Sequence, residues 1–275
     1  MAVGYLVLAL VLALTLNAGA RWVRVAGTLI AALGLTMMVW SIILADIDGT
    51  FAAIPPDAPL IHRATPAILN VQAVIAAFAI LFLLWSAWMQ ARRPVSEPVP
   101  LRNTPAQFGA GSRAFHWVMG VIVLCCVPIG LFMAILPEGF AGHEDFVAAH
   151  TSLGLTVLLL AAGRILWLMA SPPPAPLSPR GTPEHRLARA VHVALYAAII
   201  AFPVSGYLID QGAAVSFYGW AVPRPAWPAI AEPARLVHAW VLPFALYATL
   251  ALHLAGVLKR HFADRDTAAV RRMLR

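Results

Sequence analysis

The feature that most limits this chain is a series of long apolar runs that its few charges only interrupt. Crossing the ~30 Å hydrocarbon core of a bilayer takes roughly 20 apolar residues in a helix. Runs of about that length lie at 2–19, 25–45, 69–90, 114–136, 149–170, 190–210 and 236–258. Composition agrees: 61% of the 275 residues are hydrophobic, only 11% are charged, and mean hydropathy is +0.80. A soluble domain carries about 25% charged residues, because its surface faces water. The sequence therefore predicts an all-α integral membrane protein with about seven transmembrane helices. The first run ends in Ala18-Gly19-Ala20, which looks like a signal-peptidase site, but no basic residue precedes it; it is read as a helix.

Charge orients the helices. With the N-terminus outside, 16 basic residues fall inside: Arg21, Arg24, Arg92, Arg93, Arg102, Arg113, Arg164, Arg180, Arg186, Arg189 and the six of the tail from Lys259 to Arg275. Only Arg63, Arg224 and Arg235 remain outside. This is the positive-inside pattern, and it predicts N-out, C-in. Eight of the 12 acidic residues fall outside, which leaves that face near −5 and the inner one near +12. An acidic outer face attracts basic proteins and repels small anions. The net charge of +7 is spread between apolar runs rather than gathered in a patch, so nucleic acid is not an expected partner.

A Pro- and Arg-rich seam at 93–113 separates an N-terminal three-helix module, 1–92, from a C-terminal group of four helices, 114–275. In the first module Trp40 and Trp85 are read as interface anchors. The two cysteines, Cys125 and Cys126, are adjacent within one apolar run. They supply no disulfide framework, zinc site, iron–sulfur cluster or CxxCH attachment and are read as small apolar fillers.

Five of the nine histidines, His116, His150, His192, His238 and His253, lie inside or at the ends of spans. Ionisable groups there are costly and are functional candidates. The topology puts His116 and His253 at the inner side and His150 and His238 at the outer side, one pair per leaflet. His238 and His253 are separated by roughly 22 Å and ~60° along one helix, so both can face a bundle interior. Two imidazoles from two helices can grip a b-type haem from opposite faces. Gly120, Gly154 and Gly256 follow His116, His150 and His253 by three or four residues, on the same helix faces, where they leave room for a porphyrin. Arg164, about 14 residues below His150, suits a propionate of the inner haem. His192 has no evident partner; a propionate contact, a proton relay near a quinone and a headgroup-level histidine all remain open.

These residues resemble the bacterial cytochrome b561 family, related to the membrane cytochrome b subunits of formate dehydrogenase and nickel–iron hydrogenase. The resemblance covers 105–275 and rests on Arg113-x-x-His116-Trp117, His150-x-x-x-Gly154 with Arg164, His192 followed by Phe202-Pro203-x-x-Gly206, then His238, His253 and the tail HFADRDTAAVRRML. It implies a four-helix bundle with two non-covalent b haems. His116 and His253 match the axial ligands of the inner haem and His150 and His238 those of the outer one, whereas the position of His192 is not axial. The ligand spacing on the last helix is one residue longer than the family's, and a bulge at Pro243 is expected to absorb it. Residues 1–92 lie outside the resemblance.

The expected activity is electron transfer in the bacterial inner membrane, between ubiquinone or ubiquinol and a partner at the periplasmic face, a basic cytochrome c or a docked dehydrogenase subunit. The quinone comes from the resemblance alone. One alternative is a superoxide:ubiquinone oxidoreductase, which the acidic outer face disfavours. A more distant one is a haem-free transporter or scaffold, whose functional groups would lie nearer the midplane.

Overall fold

In the computed structural model of the protein, residues 99–136, 143–209 and 214–274 are described, and before them positions 32, 43, 49, 52, 54–58, 63–70, 73, 77, 81, 84 and 88. The expected three-helix module, with Trp40 and Trp85, otherwise lies outside the described residues. Within it residues 63–70 are helical, and Thr65 and Leu69 are buried.

Helices α1 (Ala110–Met133), α2 (His143–Ala170) and α3 (Pro183–Leu208) are followed by a hairpin of β1 (Val215–Phe217) and β2 (Trp220–Val222). Then come α4 (Pro228–Leu236), a π turn at Val237–Val241, α5 (Leu242–Leu258), a second π turn at Lys259–Ala263 and α6 (Ala268–Leu274). Four stretches among the described residues are long and apolar enough to cross a membrane: α1, α2, α3 and the continuous Pro228–Ala263. Large apolar side chains along them, Leu159, Leu166, Met169, Val193 and Leu252, stay exposed, as suits helices in hydrocarbon. Helix hydroxyls are satisfied inside their own helix: Ser152 donates to the Ala148 carbonyl, Ser205 to Ala201 and Thr249 to Ala245.

Each helix starts before its apolar run, because polar groups beyond the run cap it. The first amides of α1 donate to the carbonyls of Pro100 and Leu101, so the last residues of the expected linker are helical. Thr182 caps α3 by accepting from the His185 amide, with Pro183 in the first turn. Glu144 and Asp145 occupy the first turn of α2, where negative charge meets the positive end of the helix dipole.

The all-α expectation needs one correction, the hairpin. Tyr218 (φ 51°) and Gly219 (φ 92°) form its two-residue turn, and two positive φ angles in succession give the twist that matches paired strands. Ser152 holds it, accepting from the Tyr218 amide at 2.9 Å, and Thr151 donates to the Ser216 carbonyl at 2.9 Å.

The bulge on the last span is also displaced from the expected position. It lies at Val237–Val241, where the Leu242 amide donates five residues back to Val237, rather than at Pro243. Proline has no amide proton, so the Ala239 carbonyl loses its usual helical donor, and the chain loosens in the turn just before. A π turn takes up one residue. The helix between His238 and His253 therefore behaves as one residue shorter, and their offset becomes about −40° instead of +60°.

Internal contacts divide the chain into two compact units, one of Met1–Pro98, Trp117–Leu153 and Ser216–Gly219, the other of Val99–His116, Gly154–Val215 and Trp220–Arg275. In the first, Ile122 and Leu153 are fully buried, and Phe132 meets Phe146 edge-on at 5.5 Å. In the second, α3 packs along α5, and a polar collar ties the segment before α1 to the chain's end. Asn103 donates to Ser171 and Pro172 and accepts from the Gly109 amide. A side chain at Gly109 would strike the Arg102 carbonyl. Trp167 donates to Ser112. Arg113, the last residue of the linker expected from the sequence, is fully buried, and its Nε donates to the Met273 carbonyl at 3.2 Å. Arg260 bonds Ser178 and Asp266, and Arg272 bonds the Ala175 carbonyl.

Asp266 closes this collar, accepting from the Ala268 amide at 2.8 Å and from Arg260 at 2.9 Å. The amide and then Arg260 hold its carboxyl below the ordinary range. Its contribution is complete above the unfolded carboxylate value, near pH 4, and is lost as pH falls through the lower folded value. The hydrogen-exchange protection factor of the Ala268 amide is therefore expected to be flat from pH 7 to 5 and to drop below pH 4, with Asp266→Asn showing the low value throughout.

Candidate functional site

Within the second unit, α1, α3 and α5 supply an imidazole cluster, and α2 brings Arg164 beside it. His116 and His253 face each other with ring centroids 6.4 Å apart and planes tilted by 49°. His192 stands edge-on to His253 at 5.3 Å, which gives it the partner that the sequence did not reveal. Its Nδ1 lies 2.6 Å from the Ala188 carbonyl one turn back. That places the proton on Nδ1 and leaves Nε2 with its lone pair. Arg164 donates through Nε to the Tyr196 hydroxyl at 2.7 Å, with its guanidinium 5.3 Å from that ring. It is near enough for its charge to act on both His116 and His253.

His150 and His238 are held by the same device, each within its own unit. The His150 Nδ1 donates to the Cys126 carbonyl at 2.9 Å, and the His238 Nδ1 to the Phe202 carbonyl at 2.9 Å. Four residues after each carbonyl comes a glycine, Gly130 on α1 and Gly206 on α3. A Cβ there would lie 2.6 Å from the His150 Cε1 and 2.8 Å from the His238 Cε1, so the rings occupy the space that only glycine leaves. Pro128 and Pro203 lie inside these helices between carbonyl and glycine. On both rings Nδ1 is committed to a carbonyl, the posture a metal-ligating histidine adopts when it binds through Nε2.

These cradles were largely missed in the sequence. Gly130, Tyr196 and Ser205 drew no attention, and Gly206 entered only as part of a motif. The available signal was a proline and a glycine close together inside an apolar helix, Cys126-Val-Pro-Ile-Gly130 and Phe202-Pro-Val-Ser-Gly206, a costly combination without a packing reason. Cys126 is buried as expected but is more than filler, since its Sγ lies 3.5 Å from the His150 Nδ1. At Gly120, Gly154 and Gly256 an added Cβ would meet no described atom within 4 Å, so these three leave space beside the histidines rather than seat them.

The donor set can be compared with a metal's needs. One nitrogen from each of two imidazoles at the usual ~2 Å separates the ring centroids by roughly 6 Å, and His116 and His253 are 6.4 Å apart. Among the described residues no three His, Cys, Asp or Glu side chains gather as a metal cage. Residues 107–275 match the family described as prokaryotic cytochrome b561. The chain belongs to that family. Cytochrome b561 homolog 2 of Escherichia coli (strain K12) is 37% identical over 178 residues, covering 62% of this chain and 93% of that protein. The protein is thus a multi-pass membrane cytochrome that binds haem b and serves electron transfer.

In this cytochrome b561, Gly130→Ala and Gly206→Ala each push an imidazole off its carbonyl. Each is expected to cost about 1–3 kcal/mol, read as a lower midpoint of thermal unfolding in detergent, whereas Gly120→Ala, which meets no neighbour, is expected not to lower the apoprotein's midpoint and to raise it slightly through helix propensity.

Proposed function

We propose that the protein is a di-haem relay of the bacterial inner membrane, with seven spans, N-out and C-in. Residues 114–275 form the four-helix di-haem bundle, reached through the linker at 93–113, and residues 1–92 form an added three-helix module. His116 and His253 hold the inner haem, and His150 and His238 hold the outer one. The observation that carries this reading is the pair of facing imidazoles, His116 and His253, at the spacing a bis-imidazole metal requires. The outer pair is supported by the shared posture of His150 and His238, each with Nδ1 bound to a main-chain carbonyl on another helix.

When bound, a b haem supplies a reversible one-electron couple at its iron. The chain's residues orient and tune it. Tyr196 steadies Arg164 for a propionate of the inner haem, an anion that suits a half-buried guanidinium. Gly120, Gly154 and Gly256 leave clearance beside the ligands. His192, edge-on to His253, is placed beside the inner ligand rather than opposite it. The protein transfers electrons between ubiquinone or ubiquinol in the membrane and a partner at the periplasmic face, a basic cytochrome c or a dehydrogenase subunit, for which the acidic outer loops are suited.

Purified protein is expected to contain two b haems per chain by pyridine haemochrome assay, with Ala at His116, His253, His150 or His238 losing one and His192→Ala retaining both. One haem in the unaltered chain, or none, would falsify the assignment. Quinone reduction by the isolated protein is expected not to depend on superoxide; a superoxide-dependent rate would replace the relay by a superoxide:ubiquinone oxidoreductase.

A further inference from the structure

The two cradles share a second feature that the ligand assignment does not use. Each Nδ1 proton has, besides its carbonyl, a side-chain heteroatom within reach: Cys126 Sγ at 3.5 Å from His150, and Ser205 Oγ at 3.2 Å from His238. Both belong to the helix that provides the carbonyl. The Ser205 proton has two carbonyls to serve, Ala201 at 2.6 Å and Phe202 at 3.0 Å, so an oxygen lone pair remains for the imidazole. The Cys126 thiol lies 3.5 Å from the His150 carbonyl, and donating there leaves a sulfur lone pair for the ring.

We propose that Cys126 and Ser205 are positioning residues that set the electron-donating strength of His150 and His238, and through them the reduction potential of the outer haem. This rests on the reading of those two histidines as haem ligands. A second acceptor draws the Nδ1 proton further from the ring, giving it more imidazolate character and making Nε2 a stronger donor. A stronger axial donor favours the oxidised metal and lowers the potential. Sulfur is the weaker acceptor and lies further away, so Ser205 has the larger effect. Each would act on the haem only through the histidine it contacts.

The neighbouring role is purely structural, since a serine bonded one turn back is common in membrane helices. Redox titration of the full-length purified cytochrome, followed by haem absorbance, separates the two. In Ser205→Ala and Cys126→Ala the same one of the two waves is expected to move to higher potential, further for Ser205→Ala, while the other wave stays. Ser205→Thr, which keeps a hydroxyl, and Cys125→Ala, at the adjacent buried thiol, are expected to titrate like the unaltered protein. Two retained waves, both unmoved in the alanine variants, would overturn the inference and leave the ligand assignment standing. Haem loss in both alanine variants, unrescued by Ser205→Thr, would overturn it in favour of a structural role. A single wave in the unaltered chain would remove the ligand reading and this inference with it.

Discussion

An imidazole inside a hydrocarbon slab has two nitrogens to satisfy and no water to do it, and that requirement organises the structure around His150 and His238. Each gives its Nδ1 proton to a main-chain carbonyl on another helix, a group whose own helical bond already sits in low dielectric. To reach that carbonyl, the ring must lie flat against a helix backbone, which glycine alone permits. Gly130 and Gly206 are therefore part of the histidine sites in the same sense as the carbonyls are. The nearby Pro128 and Pro203 are acceptable in these helices because membrane helices can re-satisfy a freed carbonyl locally.

The imidazole cluster at the other set of histidines works differently. His116 and His253 are positioned by where their helices start and end. The collar of Asn103, Arg113, Arg260 and Asp266 ties the start of α1 to the chain's C-terminal segment within one unit. Because Arg113 is buried and bonded three residues before His116, the register of that histidine is fixed by contacts outside the apolar run. His192 and Arg164 then add one lone pair and one positive charge to the same cluster. A positive charge beside imidazoles suits the anionic, metal-bearing group proposed for this cluster.

The extra residue between His238 and His253 illustrates how a helix corrects its own phase. Fifteen positions of regular helix would turn the two side chains apart by about 60°. The π turn at Val237–Val241 removes one position from that count. It lies in the turn before Pro243, where the missing amide proton deprives the Ala239 carbonyl of its helical donor and lets the turn widen. The sequence announced the need for a bulge; the position of the proline decided its turn only once the backbone was closed.

Much of the membrane architecture was legible because hydropathy, helix period and charge are properties of one segment at a time. The runs at 114–136, 149–170, 190–210 and 236–258 are spans α1, α2, α3 and Pro228–Ala263, and His116 and His253 were paired from their depth alone. What stayed hidden depends on partners far along the chain. Cys126 lies 24 residues from His150, and Phe202 lies 36 from His238; a carbonyl, being present at every residue, leaves no mark in a sequence. The hairpin at 215–222 was hidden too, since Tyr218 at a positive φ contradicts its own preference and is held there by Ser152 from another element. The amino-acid sequence by itself determined that this chain enters the membrane and that His116 and His253 belong together. Only the tertiary structure decided which nitrogen of His150 and of His238 is held by a carbonyl, because that depends on a backbone atom brought from another helix.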